Sequence, residues 1–248
     1  MIAEQIRGKG AVRISELVEQ FGVSVETIRR DLLELEKGGQ LRRVHGGAVG
    51  PVQSGQYSTL PERREENASG KSELARYATE LLDEGDSVFI DCGSTAAVFA
   101  EQLARQFARL TVITNSLDVF ERLRDREGFE LYLCSGVYLR GENAFCGSWA
   151  VERVRCFHAG TAFICPSGIS LEYGVMDYDR ELYHVQRAMM ECADRTVFLA
   201  DSGKFEKSAL LKLADVKPGC TLVTDAGLSD EIRDLYRENG IRIAEGRK

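Results

Sequence analysis

Residues 14–49, ISELVEQFGVSVETIRRDLLELEKGGQLRRVHGGAV, decide the fold of the N-terminal part of the chain. Two runs with helical spacing of apolar residues are joined by a turn at Phe21-Gly22-Val23. Glycine suits the left-handed position at the end of the first helix, and Ser24 is a typical N-cap for the second. Two short helices joined by a glycine-containing turn predict a helix-turn-helix unit.

The second helix of this unit is predicted to end at Lys37-Gly38-Gly39, and its buried stripe is expected to contain Val25, Ile28, Leu32 and Leu35. This stripe leaves the following side chains facing outward near the N-terminus: Glu26, Thr27, Arg29 and Arg30. Such residues contact base edges in the major groove, where arginine pairs with guanine and the threonine methyl contacts thymine. We therefore expect base contacts here, and a phosphate contact at Ser24 where the helix begins.

The segment after Gly39 predicts a small wing, with two short strands around a His-Gly-Gly turn. Arg42, Arg43 and His45 are expected to face the DNA backbone, where positive charge supplies affinity but little sequence information. The alternative is an ordinary helical hairpin with a solvated charged face. The agreement of turn, cap, apolar stripe and basic wing favours DNA binding.

The charge of the chain is unevenly distributed. The 248 residues carry a formal net charge of −7, but residues 1–57 hold eight Lys and Arg against seven Asp and Glu. An acidic protein binds nucleic acid where its positive charges cluster. Residues 46–61, GGAVGPVQSGQYSTLP, have the composition of a linker. We therefore expect a DNA-binding domain with its linker at 1–57 and a larger domain at 58–248.

Composition restricts the class of protein. No apolar stretch approaches the roughly 20 residues of a membrane-spanning helix, and the N-terminus lacks the apolar region of a secretion signal. Seven cysteines are scattered without a CxxC pair, and three histidines lack metal-ligand spacing. The sequence predicts a cytoplasmic protein without a metal site, a disulfide framework, a cofactor or a membrane partner.

Residues 58–248 alternate between helical and strand patterns. Helices are predicted near 62–82, 95–107, 117–125, 148–156, 179–193 and 229–239, and strands near 87–91, 110–114, 129–134, 160–165, 196–200, 221–224 and 241–244. Short, continuously apolar strands that alternate with helices predict an α/β fold, with a doubly wound, mostly parallel sheet.

Small polar residues and glycines follow five of these strands. In open α/β sheets ligands bind beyond the carboxyl ends of the strands, and a helix N-terminus there favours an anion. Any single loop of this kind is also ordinary turn chemistry, but the recurrence predicts a site for a phosphorylated polyol. Its candidate residues are Asp91, Gly93, Ser94, Thr95, Asn115, Ser116, Gly136, Arg140, Ser167 and Lys204.

These motifs carry a family resemblance. The run VSVETIRRDL…LRRVHGGA, followed by DCGST, VITNSL, LRGENAFCG, LADSGKF and TDAGL, resembles the DeoR family of bacterial transcription regulators. The resemblance implies a winged helix-turn-helix joined to an effector domain similar to sugar-phosphate isomerases. It further implies a repressor of carbohydrate-metabolism genes that releases double-stranded operator DNA when a phosphorylated sugar binds. Because helix-turn-helix proteins commonly bind paired half-sites, we also expect a homo-oligomer, either dimer or tetramer.

Two departures from the family pattern bear on the ligand. The family commonly has Ala-Asp-Gly-Ile where this chain has Pro166-Ser167-Gly168-Ile169, and Val-Lys-Arg where it has Val185-Gln186-Arg187. A carboxylate and an amine are thus replaced by a hydroxyl and an amide, which predicts a changed or weakened effector site.

Two other functions remain open at this point. A sugar-phosphate isomerase with an appended DNA-binding domain would need a general base, for which Asp91, Glu142 and Glu181 are candidates. A fold shared with isomerases is only an analogy, and Ser167 and Gln186 remove the groups most suited to catalysis. A DNA-binding scaffold that responds to no ligand is the third possibility.

Overall fold

The computed structural model describes residues 1–9, 11–44, 46–50, 53–54 and 58–244. The helices are α1 (Ile2–Lys9), α2 (Ile14–Phe21), α3 (Val25–Lys37), α4 (Leu60–Glu65), α5 (Ala68–Thr79), α6 (Ser94–Gln106), α7 (Leu117–Leu123), α8 (Ser148–Val154), α9 (Arg180–Glu191) and α10 (Asp230–Glu238). The strands are β1 (Ala11–Arg13), β2 (Arg42–Val44), β3 (Gly47–Val49), β4 (Gln53–Ser54), β5 (Ser87–Ile90), β6 (Leu110–Thr114), β7 (Phe129–Leu133), β8 (Val137–Leu139), β9 (Ala144–Cys146), β10 (Ala159–Ile164), β11 (Gly168–Ser170), β12 (Gly174–Asp177), β13 (Ala193–Leu199), β14 (Lys207–Ser208), β15 (Leu211–Ala214), β16 (Thr221–Val223) and β17 (Arg242–Ala244). None of these helices is long and apolar enough to cross a membrane.

The N-terminal elements form a winged helix-turn-helix. Gly22 ends α2 in the left-handed conformation, with φ of 65°, and the side chain of Ser24 accepts a hydrogen bond from the Thr27 N–H at 3.2 Å. Strand β3 pairs antiparallel with both β1 and β2, which makes the wing. One local prediction was wrong: Val25, expected on the buried stripe of α3, is 43% exposed.

The larger domain is built on a parallel sheet. Within the described residues its strand order is β17-β16-β13-β10-β5-β6-β7, and all these pairs are parallel. Phe89 of β5 lies beside Ala162 on one side and Ile113 on the other. The chain runs outward from β5 to β6 and β7, then returns to β10 on the opposite side. The strand order therefore reverses between β5 and β10, where such sheets bind ligands.

Helices cover both faces of this sheet, as the alternation of side chains along a strand requires. Phe89 faces a core that includes residues of α8, α9 and α10, whereas Val88 and Ile90 face a core that includes residues of α5, α6 and α7. This arrangement confirms the doubly wound fold expected from the sequence.

The segment predicted as one helix over residues 62–82 is two helices. Asn67 interrupts it in the left-handed conformation, with φ of 43°, and its side chain accepts a hydrogen bond from the Gly70 N–H that caps α5. Asparagine tolerates this conformation better than most residues. The break separates α4 from α5 and turns α4 across the end of the sheet, where it lies next to α6.

The wing packs against the larger domain. Val44 and Val49 of the wing lie in an apolar cluster with Leu171 and with Ile232 and Leu235 of α10. Strand β4 pairs with β14, and the guanidinium of Arg13 lies 2.8 Å from the carboxylate of Asp234. The two domains are therefore in contact through apolar packing, an ion pair and backbone hydrogen bonds.

Candidate DNA-binding surface and effector site

The N-terminal part of α3 presents an exposed polar surface. Glu26, Arg29 and Arg30 are exposed, and Thr27 is half-buried with its hydroxyl 2.9 Å from that of Ser24. Ile28 and Leu32 anchor the opposite face of the helix in the core. The side chains expected to contact bases therefore lie on one accessible surface, at the end of the helix that enters the major groove in proteins of this kind.

The structure gives the basic wing residues partners within the protein. The guanidinium of Arg42 lies 2.7 Å from the carboxylate of Glu206 and 2.8 Å from that of Glu172, both in the larger domain. Arg42 thus lies at the domain contact instead of facing outward to a DNA backbone as expected. Arg43 is exposed and binds Glu36 of α3 at 3.0 Å. His45 lies outside the described residues.

The tip of the wing also abuts the larger domain. A Cβ added at Gly46 would lie 3.2 Å from the carboxylate of Glu238 on α10. Arg13 is held by Asp234 and Glu238 on the same helix. The wing therefore meets acidic side chains of the larger domain in this arrangement, and Arg42 is the expected phosphate contact that pairs with them.

The candidate effector site lies where the strand order reverses. Gly93 has φ of 112°, a conformation that favours glycine, and α6 begins directly after it at Ser94. Ser94 and Thr95 are buried in the first turn of α6. The first turn of a helix leaves its N–H groups without partners inside the helix, so this turn is suited to an anion.

The loop after β6 is buried at the same edge of the sheet. Asn115 donates from Nδ2 to the Phe145 carbonyl at 2.8 Å, whereas its Oδ1 has no partner among the described residues. Ser116 caps α7 by accepting from the Val119 N–H. A buried acceptor without a partner costs free energy unless a ligand or water satisfies it, so Asn115 is well placed to bind a hydroxyl.

The remaining expected residues differ in their surroundings. A Cβ at Gly136 would lie 2.4 Å from the Cys146 carbonyl, so this glycine is required by backbone packing. Arg140 is exposed, in the turn between β8 and β9. Lys204 is half-buried in a short 3-10 turn, Ser202–Lys204, that follows β13. The carboxylate of Asp201 caps this turn by accepting a hydrogen bond from the Gly203 N–H.

Ser167 belongs to a buried polar network around the end of β5. Nε2 of Gln186 donates to Asp91 at 2.9 Å and to Asp177 at 2.7 Å, and the Ser167 hydroxyl donates to Asp177 at 2.8 Å. Burial raises the pKa of Asp91 to about 7, and the neighbouring charge of Asp177 adds to this shift. Burial likewise raises the pKa of Asp177. One amide thus bridges two buried carboxyl groups.

Three side chains in this region were not anticipated from the sequence. Arg63 lies on α4 near Gly93, Lys71 is buried under α4, and Asp177 ends the short strand β12. The Nζ of Lys71 donates to the carbonyl of Arg63 at 2.5 Å and also to that of Glu66, so it holds the end of α4. Burial lowers the pKa of Lys71. The sequence predicted one continuous helix over residues 62–82, so it did not indicate that Arg63 and Lys71 lie at this site.

Comparisons with known proteins decide the family. Residues 66–226 match the model of the DeoR C-terminal sensor domain, and residues 1–53 match that of the DeoR-like helix-turn-helix domain. This chain belongs to the DeoR family. A DeoR-family relative, the transcriptional repressor AccR of Agrobacterium fabrum, is 35% identical over 91% of this chain and 88% of its own length. The putative aga operon transcriptional repressor of Escherichia coli O157:H7 is 30% identical over 98% and 90%.

Among solved structures, this DeoR-family chain is similar to ribose 5-phosphate isomerase A from Methanocaldococcus jannaschii. The TM-score is 0.43 and the identity 16%, and the match covers 56% of this chain and 55% of that one.

The amide of Gln186 offers a test of the electrostatics of this DeoR-family domain. Gln186→Lys should place an ammonium between Asp91 and Asp177 and lower the pKa of Asp91. The native Asp91 holds its proton up to about pH 7, whereas the unfolded one loses it near pH 4, so native stability falls as pH rises between these values. The lysine variant should lack this loss. Each unit of lowered pKa then adds about 1.4 kcal/mol to its free energy of unfolding at pH 8.

This prediction is checked by urea denaturation of both proteins between pH 5 and 8. The difference between variant and wild type should grow with pH. Gln186→Met, which has neither a donor nor a charge, should show the opposite trend because both carboxylates lose a hydrogen bond. A difference that stays constant over the whole pH range would show that the ammonium does not act on Asp91.

Proposed function

We propose that this protein is a cytoplasmic transcription regulator that represses carbohydrate-metabolism genes and releases its operator DNA when a phosphorylated sugar binds. The proposal rests on two features that occur in one chain. One is the exposed surface of α3, and the other is the polar site at the switch point of the sheet, where the strand order reverses between β5 and β10. The matches to the DeoR helix-turn-helix and sensor domains support each half. The named relatives are repressors, one of them of an operon.

The DNA-binding half of the proposal is assigned to residues 1–57. The N-terminal part of α3 reads base edges through Thr27 and Arg30, with Glu26 and Arg29 at the border of the contact and Ser24 at the phosphate. Arg43 and His45 supply further contacts to the backbone. A homo-oligomer, dimer or tetramer, lets two copies of α3 reach paired half-sites.

The sensing half is assigned to residues 58–248. The phosphate binds at Gly93, Ser94 and Thr95, where the N-terminus of α6 and its dipole favour an anion. Polar groups of Asn115 and of the network around Ser167 accept hydrogen bonds from sugar hydroxyls or donate hydrogen bonds to them. Other contributions to the site come from Asp91, Ser116, Gly136, Arg140 and Lys204.

The mechanism is a shift between two arrangements of the domains. A ligand changes this equilibrium only if it binds one arrangement better than the other. Strand β4 of the linker pairs with β14, which follows the loop that carries Lys204. Occupation of the effector site therefore acts on a segment in direct contact with the chain leading to the wing.

Catalysis is not part of the proposal, because the three carboxylates suited to proton abstraction are either held by partners within the protein or exposed to solvent. Asp91 is fully buried, Glu142 binds Arg63, and Glu181 is exposed in the first turn of α9. In an assay with ribose 5-phosphate or with glucosamine 6-phosphate as substrate, the protein should isomerise neither compound above the background rate. Turnover abolished by Asp91→Asn would establish an isomerase instead.

The sensing half is tested by calorimetric titration of the full-length protein with a panel of phosphorylated sugars and inorganic phosphate. We expect one member of the panel to bind at least about tenfold more tightly than inorganic phosphate, because sugar hydroxyls add hydrogen bonds to Asn115 and Ser167. A protein that binds DNA but none of these compounds would be a scaffold without an effector.

A further inference from the structure

Arg63 occupies the entrance to the anion-binding turn of α6. Its Nη1 lies 3.7 Å from the position that a Cβ would take at Gly93. The side chain is 16% exposed, although it belongs to the short helix α4 that follows the linker. A guanidinium is thus held directly above the backbone where an anion is expected to bind.

A buried carboxylate now holds this guanidinium. Nη2 of Arg63 lies 2.5 Å from both oxygens of Glu142, whose side chain is 5% exposed, and Nε donates to the Ser58 carbonyl at 3.1 Å. Glu142 lies between β8 and β9, in the turn that also carries Arg140. The pair therefore connects α4 with a loop at the carboxyl edge of the sheet.

The charges of Arg63 and Glu142 act on titratable groups at the ends of the strands. Burial raises the pKa of the Cys92 thiol, and the carboxylates of Asp91 and Glu142 raise it further. Burial also raises the pKa of Asp177, while hydrogen bonds from Gln186 and Ser167 and the charge of Arg63 lower it. Arg63 and Glu142 are thus electrically close to the strand ends on both sides of the switch point.

Two buried acceptors without a partner are independent observations that point to a ligand at this place. Oδ1 of Asn115 is fully buried and has no partner among the described residues, and the same is true of Oε1 of Gln186. Both are acceptors at the same sheet edge as Gly93. The hydroxyl groups of a polyol donate hydrogen bonds to such acceptors. If the polyol is phosphorylated, the same molecule brings an anion that competes with Glu142 for Arg63.

We propose that Arg63 binds the phosphate of the effector, and that the phosphate takes the place of the Glu142 carboxylate as partner of this guanidinium. The proposal rests on the proposed function and adds to it the residue that detects the anion. The N–H groups of a guanidinium donate to carboxylate and phosphate oxygens alike, so Arg63 can exchange one anion for the other. Glu142 then sets the affinity by competing with the ligand.

The position of Arg63 links the ligand to the DNA-binding domain. Helix α4 begins with the capping box of Thr59 and Glu62 at the end of the linker, and Lys71 holds its last turn. A phosphate bound to Arg63 therefore contacts the first helix after the linker. The chain from α4 to β3 spans only residues 50–59, so a shift of α4 changes the position available to the wing.

The test compares three variants of the full-length protein by calorimetric titration. The probes are ribose 5-phosphate, glucose 6-phosphate, fructose 6-phosphate, glucosamine 6-phosphate, glycerol 3-phosphate and inorganic phosphate. Arg63→Gln should weaken the best probe by about 10- to 100-fold, since it removes a charge-assisted hydrogen bond. The matched control is Arg64→Gln on the same helix, because Arg64 is paired with Asp118. Its affinity should stay within about twofold of wild type.

Glu142→Gln gives the deciding result, because exchange of partners predicts tighter binding. The neutral amide keeps the shape of the carboxylate but competes less for Arg63, so the same probe should bind about three- to tenfold more tightly. If Glu142→Gln binds this probe as tightly as the wild type or more weakly, the exchange of partners is overturned. This result decides the question even if Arg63→Gln fails to fold. Unchanged affinity in Arg63→Gln overturns the assignment and leaves the proposed function standing. If no probe binds the wild type while operator DNA does, both proposals fall.

Discussion

Replacing Arg42 by methionine is expected to lower the free energy of unfolding by about 3 kcal/mol, because it leaves Glu206 buried without its cation. Arg42 is 17% exposed and Glu206 9% exposed, and the hydroxyl of Tyr236 on α10 also donates to Glu206. Loss of one partner from such a pair removes the compensation for a desolvated charge. The domain contact through Val49 and Leu235 should loosen with it.

The penalty for losing Arg42 should depend on pH in a defined direction. Burial raises the pKa of Glu206 above that of the unfolded chain, and removal of Arg42 should raise it further. The carboxyl of the variant then becomes neutral as pH falls, so the buried charge disappears. The difference between wild type and variant should be larger at pH 8 than at pH 5.

Arg43→Met is the matched control, since Arg43 is 41% exposed and binds Glu36 within the same domain. An exposed pair of this kind contributes about 0.2–1 kcal/mol. Denaturation of both variants, with amide exchange at Val49 and Leu235, measures stability and docking together. If the two variants are equally stable while Arg42→Met weakens DNA binding, Arg42 contacts DNA as its sequence position suggested.

Arg30→Ala should reduce discrimination between operator and unrelated DNA by about 1–3 kcal/mol, a factor of roughly 5 to 150. Arg30 is exposed near the N-terminus of α3, whose opposite face is anchored by Ile28 and Leu32. A bidentate contact to guanine is lost only on the correct sequence, whereas a phosphate contact is lost on every sequence.

This prediction is measured by fluorescence anisotropy on the operator and on a scrambled duplex of equal length, at several salt concentrations. Lys37→Ala at the other end of α3 is the control, and it should change both affinities by the same small factor. Equal weakening of both duplexes by Arg30→Ala, with a salt slope reduced by about one, would assign Arg30 to the phosphate backbone.

The sequence was sufficient where the determining contacts are local. The turn at Gly22, the Ser24 cap and the alternation of strands and helices are each specified by neighbouring residues. The gathering of Asp91, Asn115 and Ser167 at one edge could also be predicted, because parallel strands end on the same side of a sheet.

Contacts between distant residues could not be predicted in this way. The pair of Arg42 and Glu206 joins positions 164 residues apart, and no local pattern connects them. Arg63 belongs to a segment whose spacing indicated one continuous helix, and the left-handed Asn67 that divides it depends on side-chain capping. The bridge from Gln186 to Asp177 requires β12, which pairs with β11 and β15 apart from the parallel sheet and was not predicted from the sequence.

The central claim is that one phosphorylated sugar and operator DNA oppose each other through the two domains. It is tested by the anisotropy of labelled DNA from the region upstream of the gene, bound to wild-type protein and titrated with the same panel of probes. We expect one sugar phosphate to weaken DNA binding by a factor of about 5 to 150. Because coupling is reciprocal, operator DNA should weaken binding of that sugar phosphate by the same factor. A sugar phosphate that binds the protein without changing its affinity for DNA would contradict the account.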